Sequence, residues 1–171
     1  LLELACGPGN ITQYLLSRHP GYNIFGIDLS PKMIELAKAN NPSADFAVMD
    51  VRAIGSLNKK YDGIMCGFCL PYLSKEECVN LIRTASRILN KGGVMYISTM
   101  EDDYEKSGFK KSSNGTAEQM FIYYHEARYL VEALKENDFE IEKLQRQECP
   151  LADGTVFQDL IIVSRKRSQQ L

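Results

Sequence analysis

Short apolar runs and amphipathic stretches alternate along the 171 residues of this chain. Residues 1–5, 23–28 and 61–68 are short runs rich in apolar side chains, which is typical of strands buried in a parallel sheet. Between these runs, apolar residues recur at spacings of three and four, which predicts amphipathic helices that pack on the sheet. The alternation favours an α/β domain with a mostly parallel sheet.

Turn and capping residues set the bounds of the predicted elements. Ser30 and Pro31 supply an N-cap hydroxyl and a first-turn proline, while Gly92 and Gly93 end a later helix. The predicted helices are residues 11–19, 30–40, 75–90 and 126–137. The predicted strands are residues 1–5, 23–28, 45–49, 61–68, 94–99, 120–123, 139–146 and 156–164.

Two polar segments predict connections between these elements. Residues 101–116 turn polar, with Gly, Ser, Asn and Lys, which favours a mobile loop at the mouth of a site. Asp153-Gly154 indicates a tight turn, so the last two strands are expected to pair antiparallel.

A glycine-rich turn follows the first strand. The strand runs into Cys6-Gly7-Pro8-Gly9-Asn10 and a helix begins at once, which brings backbone N–H groups close to a ligand because glycine carries no side chain. The second strand ends in Asp28, nineteen positions after Gly9, where a carboxylate would meet the hydroxyls of a ribose. Together these features predict a nucleotide-type binding site.

The segments 3–10 and 26–33 closely resemble the class I S-adenosylmethionine-dependent methyltransferases. The first motif of that family reads acidic-x-Gly-x-Gly-x-Gly, and Glu3, Gly7 and Gly9 match it, while Ala5 replaces the first glycine. The resemblance covers essentially the whole chain. It implies one domain, residues 1–171, with a Rossmann-like doubly wound seven-stranded sheet of order 3-2-1-4-5-7-6 whose last strand is antiparallel. Since residue 1 already lies in the first strand, we expect the family's N-terminal cap helices to be absent.

The resemblance also implies a cofactor, S-adenosyl-L-methionine, and the residues that bind it. Asp28 would accept hydrogen bonds from both ribose hydroxyls, Asp50 would accept from the adenine amino group, and Glu3 would bind the ligand's amino group directly or through water. The full set of predicted contacts is Glu3, Ala5, Gly7, Gly9, Asn10, Asp28, Leu29, Met33, Asp50, Val51, Cys66 and Gly67. Three simpler interpretations stay open: a helix-capping Asp28, a buried strand-edge Glu3 and a Met33 that only fills the core.

Residues 66–72 occupy the place where family members turn the methyl group toward its acceptor. They contain neither the Asp/Asn-Pro-Pro-aromatic motif nor the Pro-Cys motif of enzymes that methylate nucleic acid bases. A small-molecule acceptor is therefore expected. The sequence does not identify a catalytic residue. If the acceptor needs a general base, the candidates are Tyr72, His125, Glu101 and Asp102, and His125 has a competing interpretation as a helix cap.

Composition narrows the classes of partner. Twenty basic and twenty-two acidic residues give a formal net charge of -2, which argues against nucleic acid as a partner. The five cysteines are scattered, and the Cys66/Cys69 pair lacks the second pair that a zinc site needs, so no metal is expected. No apolar stretch reaches the ~18 residues of a membrane span and no signal peptide pattern is present, so we expect a cytoplasmic protein that binds no membrane.

Two other functions are compatible with a parallel sheet and a glycine-rich turn. A nicotinamide-dependent oxidoreductase would carry a third glycine three residues after Gly9, and position 12 is threonine. A non-catalytic relative that keeps the cleft as a binding or regulatory module stays open, because fold alone does not fix function.

Overall fold

The secondary structure alternates between strands and helices as the apolar pattern predicts. A computed structural model describes residues 1–111, 119–150 and 156–168. The helices are α1 (Asn10–Arg18), α2 (Pro31–Asn40), α3 (Lys75–Ile88) and α4 (Ala127–Glu136). The strands are β1 (Leu2–Leu4), β2 (Phe25–Asp28), β3 (Asp45–Val48), β4 (Tyr61–Gly67), β5 (Leu89–Glu101), β6 (Gly108–Lys111), β7 (Gln119–Ile122), β8 (Phe139–Pro150) and β9 (Val156–Lys166). Short 3₁₀ turns span Val51–Ser56, Leu70–Tyr72 and Tyr104–Lys106.

Seven strands form one sheet in the order β3-β2-β1-β4-β5-β9-β8. The first five pair in parallel, and β9 runs antiparallel to both β5 and β8. This confirms the predicted α/β fold. Numbered within the sheet alone, the strands follow the predicted order 3-2-1-4-5-7-6, with β8 and β9 as its sixth and seventh strands. The strands β6 and β7 pair with each other in a separate hairpin.

The core lies on both faces of the sheet. On one face α3 and α4 cover a large apolar cluster, in which Leu4, Ile97 and Leu130 are at most 1% exposed. On the other face α2 places Ile34 and Ala37 against Phe46. Helices on both faces of a parallel sheet are the arrangement that buries its strands completely.

Hydroxyl caps fix the starts of α2 and α3. The Ser30 hydroxyl accepts from the Met33 N–H at 3.4 Å, which confirms the predicted N-cap, and Pro31 stands in the first turn. Ser74 and Glu77 form a reciprocal capping box at α3, with the Ser74 N–H donating to the Glu77 carboxylate at 2.7 Å. Ser30 and Leu73, which precedes Ser74, both line the cleft at the carboxyl edge of the sheet.

The strand bounds differ from the predicted ones mainly on the antiparallel side. β5 extends to residue 101 because its end pairs with β9, for example Glu101 with Gln158. β8 likewise continues to Pro150, while the predicted turn at residues 153–154 lies outside the described residues. β6 falls in the segment predicted as a loop. None of the helices in the described ranges is long and apolar enough to cross a bilayer.

Helix α1 buries less than its sequence predicts. Thr12 is its one fully buried side chain, while Tyr14, which the helical spacing of apolar residues would place on the buried face, is 60% exposed. The Arg18 guanidinium lies 5.6 Å from the Tyr14 ring centroid, a cation–π distance. α1 is therefore oriented by the turn that precedes it and by Thr12 more than by an apolar stripe.

Candidate functional site

A cleft of about 930 Å³ opens at the carboxyl edge of the sheet, where the chain leaves β1, β2, β3 and β4. β1 lies between β2 and β4, so the connections diverge to opposite sides at this point. Open α/β sheets bind ligands at such a switch point. The volume is at the upper end of the about 300–1,000 Å³ of small-molecule sites.

The cleft brings together most of the predicted cofactor contacts. Eight of the twelve line it, namely Ala5, Gly7, Asp28, Leu29, Met33, Asp50, Val51 and Gly67. They belong to the four segments that follow β1, β2, β3 and β4, which are distant in sequence and come together at the carboxyl edge of the folded sheet. Glu3, Gly9, Asn10 and Cys66 do not line it.

Asp28 is held in place by two backbone donors. Its Oδ2 accepts from the Gly7 N–H at 2.9 Å and its Oδ1 accepts from the Ser30 N–H at 2.8 Å. A carboxylate has about four acceptor positions, so each oxygen keeps capacity for a hydroxyl of a ligand. The helix-capping interpretation is wrong, because Ser30 and not Asp28 caps α2. Asp28 instead ties the glycine turn to the start of that helix.

The two glycines of the turn face different surroundings. Gly7 has φ +53°, and a Cβ built on it would meet no atom within 4 Å, so its surface faces the cleft. Gly9 has φ +81°, and its Cβ would lie 2.4 Å from Asn41 Nδ2. Gly7 thus leaves room for a ligand, whereas Gly9 allows the turn to pack against α2.

Ala5 stands where the family has a glycine, and its backbone explains that preference. Its φ of +50° lies in the left-handed region that favours glycine. A left-handed conformation costs a residue with a Cβ about 1–2 kcal/mol. The replacement of glycine by Ala5 therefore strains the backbone at this position, and its methyl group also narrows the cleft.

Ala5→Gly is accordingly expected to raise the free energy of unfolding by about 0.5–1 kcal/mol. The relief of the left-handed strain exceeds the greater freedom that glycine adds to the unfolded chain. Urea denaturation measures the change. Ala39→Gly, at an exposed position inside α2, is the control and should lose about 1 kcal/mol. A loss of stability in both variants would argue against strain at Ala5.

Arg52 links the side of the cleft that carries Asp50 to the opposite wall. Its guanidinium pairs with Asp50 at 3.1 Å and with Glu77 at 2.6 Å, and Nη2 reaches the Tyr72 carbonyl at 3.4 Å. The hydrogen bond from Arg52 lowers the pKa of Glu77. Asp50 also accepts from the Arg52 N–H and so caps the 3₁₀ turn Val51–Ser56. The sequence analysis did not identify Arg52. An aspartate side chain often accepts a hydrogen bond from the backbone N–H two residues later, so the spacing of Asp50 and Arg52 is the signal that could have indicated it.

Glu3 lies behind the glycine turn instead of on the cleft wall. It is 1% exposed, and its Oε2 accepts a hydrogen bond from the hydroxyl of Thr12. Oε1 has no partner among the described residues. Burial raises the pKa of Glu3 to about 7, against the opposing effect of the Thr12 hydrogen bonds. The threonine that departs from the dinucleotide-binding pattern at position 12 thus has a definite role as the partner of Glu3.

Asn10 and Cys66 are predicted contacts that are not among the residues lining the cleft. Asn10 is the exposed first residue of α1. Cys66 is fully buried in β4, where it pairs with Leu4 and Ile97, and its thiol lies beside Cys69. The hydrogen bond with Cys69 and burial together raise the pKa of Cys66. Within the described ranges no three potential metal ligands come together.

The general-base candidates occupy different environments. Tyr72 lines the cleft and is 51% exposed. Glu101 accepts from the Ala127 N–H at 3.2 Å, at the start of α4, and pairs with Arg146 at 2.6 Å. Asp102 pairs with Lys106 at 2.7 Å and, like Glu101, does not line the cleft.

The prediction that His125 lies near the mouth of the site, as a base or a helix cap, is wrong. It is 0% exposed, and its Nε2 donates to the Leu70 carbonyl at 2.8 Å, so Nδ1 accepts from the Tyr129 hydroxyl. Burial lowers the pKa of His125, against the opposing effect of the Leu70 hydrogen bond. Glu101 and not His125 supplies the side-chain acceptor at the start of α4.

The remaining lining residues were not among the predicted cofactor contacts. Two of them lie at the starts of helical turns, namely Ser30 at α2 and Arg52 in the turn Val51–Ser56. The other five form the wall opposite β2, and they are Phe68, Cys69, Tyr72, Leu73 and Met120. Phe68 has φ +52°, although it is a bulky residue. No short sequence motif predicts this wall, because its residues are far apart in the sequence: residues 68–73 follow β4, whereas Met120 belongs to the β6–β7 hairpin.

Known proteins share this fold and parts of this sequence. A family model described as a methyltransferase domain matches residues 1–93, more than half of the chain. Trans-aconitate 2-methyltransferase of Paracidovorax citrulli is 32% identical over 108 residues, 63% of this chain and 41% of that protein. The malonyl-acyl-carrier-protein O-methyltransferase of Acetivibrio thermocellus is 31% identical over 101 residues, 58% of this chain and 35% of that protein. The chain thus spans less than half the length of these curated relatives.

Solved structures match over nearly the whole chain. A SAM-dependent methyltransferase from Methanosarcina mazei has a TM-score of 0.80 and 22% identity, covering 98% of this chain and 92% of that one. Magnesium protoporphyrin IX methyltransferase from Synechocystis, solved with bound SAM, has a TM-score of 0.73 and 18% identity, covering 98% and 69%. At such identities the likeness concerns the fold. The family match over residues 1–93 shows that the chain belongs to the methyltransferase domain family, and its fold is that of the SAM-dependent methyltransferases.

Proposed function

We propose that this chain binds S-adenosylmethionine in the cleft and transfers its methyl group to a small-molecule acceptor. One observation carries the proposal. The Asp28 carboxylate is fixed by the Gly7 and Ser30 N–H groups at the rim of the switch-point cleft, with both oxygens able to accept further hydrogen bonds. That is the arrangement required to bind the two hydroxyls of a ribose.

The other lining residues fit the remaining parts of this cofactor. The open surface of Gly7 lets a ligand approach the backbone, and Leu29, which is 65% exposed, offers an apolar contact for a flat base. Asp50 and the start of the 3₁₀ turn at Val51 provide an acceptor and a donor for the edge of the base. Two carboxylates in the cleft also suit a ligand that carries a positive sulfonium.

The protein's part in the reaction is to position the two reactants. When bound, S-adenosylmethionine would supply an electrophilic methyl group to a lone pair of the acceptor, and its sulfur would keep the C–S electron pair and leave as a neutral thioether. A proton carried by the acceptor would pass to a base or to water at the open side of the cleft. The cleft walls hold the acceptor in line and exclude water. Such positioning is worth on the order of 7–11 kcal/mol. Of the four candidate bases, Tyr72 is the one found among the described residues that line the cleft.

Asp28→Asn tests the cofactor site. The amide keeps the size of the side chain, but it loses the charge and turns an N–H₂ toward the Gly7 or Ser30 donor. We expect S-adenosylhomocysteine to bind about 10- to 100-fold more weakly by calorimetry, which is the loss of a hydrogen bond to a charged group. Circular dichroism checks that the variant is folded.

Asp45→Asn is the matched control, since Asp45 is an exposed carboxylate at the start of β3 and lies outside the cleft. Its affinity for S-adenosylhomocysteine should equal that of the parent. An unchanged affinity in folded Asp28→Asn would remove Asp28 from the site. Affinity without transfer to any small molecule in a screen with labelled cofactor would favour a non-catalytic module instead.

A further inference from the structure

We propose that the acceptor is a flat, uncharged, aromatic or similarly apolar small molecule that binds between Phe68, Tyr72 and Met120. The inference rests on the proposed function and names the substrate class of the same cleft. It depends on three features of the wall opposite Asp28: its apolar side chains, its rigid backbone and its lack of an uncommitted cation.

Three large apolar side chains meet at this wall and are about half exposed. The exposed fractions are 45% for Phe68, 51% for Tyr72 and 49% for Met120. Behind them, Cys69 and Leu73 are 2% exposed, so the apolar surface continues into the core. Apolar side chains that converge in one concave site usually mark the place where an apolar ligand is desolvated.

Phe68 is held in this place at a conformational cost. Its φ of +52° is a genuine outlier for a bulky residue. The conformation is fixed by the Phe68 N–H, which donates to the Ser98 carbonyl at 2.9 Å and lies 3.3 Å from the Ser98 hydroxyl. Strain of this kind persists where the surroundings over-determine it, and it clusters at binding sites. We infer that the strain serves to present the ring to the cleft.

The turn that carries Tyr72 is fixed from three directions. The His125 Nε2 donates to the Leu70 carbonyl at 2.8 Å, and the Tyr123 N–H donates to the Pro71 carbonyl at 2.9 Å. Arg52 reaches the Tyr72 carbonyl itself. The Tyr123 contact also joins this turn to the segment that follows β7, the strand of Met120. A wall held in this way is preorganised, so a ligand binds it at little cost in ordering.

The charges around the cleft disfavour an anionic acceptor. Arg52 is the sole cation among the described residues that line it, and its fork is already committed to Asp50 and Glu77. Asp28 and Asp50 contribute two carboxylates to the same lining. A polycarboxylate would meet net negative charge with no unpaired partner. By this criterion the acceptor differs from the trans-aconitate named for the Paracidovorax citrulli relative.

The test measures binding of two probes to the protein saturated with S-adenosylhomocysteine. 2-Naphthol represents the flat uncharged class and trans-aconitate the polyanionic class, and calorimetry or naphthol fluorescence gives the affinities. We expect 2-naphthol to bind and trans-aconitate to bind at least about tenfold more weakly. Tyr72→Ala and Met120→Ala should each weaken 2-naphthol binding about five- to tenfold, the range of one aromatic contact. Tyr72→Phe should retain it, because the ring remains.

Phe109→Ala is the matched control. Phe109 is 69% exposed, and it pairs with Phe121, so it lies on the face of the hairpin opposite Met120. This variant should leave 2-naphthol binding unchanged. Tighter binding of trans-aconitate, no binding of 2-naphthol, or unchanged 2-naphthol binding in both alanine variants would overturn the inference while S-adenosylhomocysteine still binds. Failure of S-adenosylhomocysteine to bind the parent would instead overturn the proposed function.

Discussion

Gly9→Ala is expected to lower the free energy of unfolding by about 3 kcal/mol. The new Cβ would lie 2.4 Å from Asn41 Nδ2 and 3.4 Å from the Ala37 Cα. Asn41 is 4% exposed, and its amide donates to the carbonyls of Gly9 at 3.0 Å and Ala37 at 3.2 Å. The side chain therefore cannot move aside without losing both bonds. The φ of +81° at Gly9 adds the usual left-handed penalty.

Gly92→Ala separates these two effects. Gly92 also has a left-handed φ, +75°, but a Cβ there would meet nothing within 4 Å. It should cost only the conformational part, about 1 kcal/mol. Urea denaturation of both variants, with the slope checked for two-state behaviour, gives the comparison. An equal loss in the free energy of unfolding for both variants would show that the Asn41 side chain moves aside at little cost. The close packing of Gly9 against Asn41 would then contribute little to stability.

Much of the fold could be predicted because the parallel sheet is buried on both faces. The predicted bounds of α2, 30–40, differ from the observed Pro31–Asn40 by one residue, since its cap and proline are local signals. The hairpin strand β6 could not be predicted, because Gly108–Lys111 is polar and pairs only with a strand farther along the chain. Pairing between distant segments leaves little trace in local composition.

The side of the cleft lined by Gly7 and Asp28 could be predicted, and the opposite wall could not. Gly7 and Asp28 lie in contiguous motifs whose spacing reflects one strand-turn-helix unit. Arg52, Phe68 and Met120 acquire their positions from tertiary contacts: an ion pair to α3, a hydrogen bond to β5 and a hairpin across the mouth. His125 shows the reverse error, because a titratable residue near a helix start was fully buried by contacts that the sequence does not reveal.

The second large effect concerns the pH dependence of stability and Glu3. The buried carboxyl has a pKa of about 7, against an ordinary value of 4.5. The folded state therefore binds a proton that the unfolded state releases, so Glu3 lowers stability progressively as pH rises from about 4.5 to 7, and the loss is complete above that. Between pH 5 and 8 the effect amounts to about 2–3 kcal/mol, on the order of 1.4 kcal/mol for each unit of difference in pKa.

Glu3→Gln should abolish this part of the pH dependence, because the amide does not titrate in that range. Its oxygen can still accept from the Thr12 hydroxyl, while its N–H₂ takes the place of the unpartnered Oε1 and imposes a cost that is equal at every pH. Urea denaturation of the ligand-free protein at pH 5 and pH 8 gives the change for each variant. The parent should lose about 2–3 kcal/mol more than Glu3→Gln over this interval. Glu35→Gln, at an exposed position on α2, is the control and should follow the parent. If Glu3→Gln also follows the parent, Glu3 is ionised in the folded protein at neutral pH, and the environment behind the glycine turn is more polar than its burial implies.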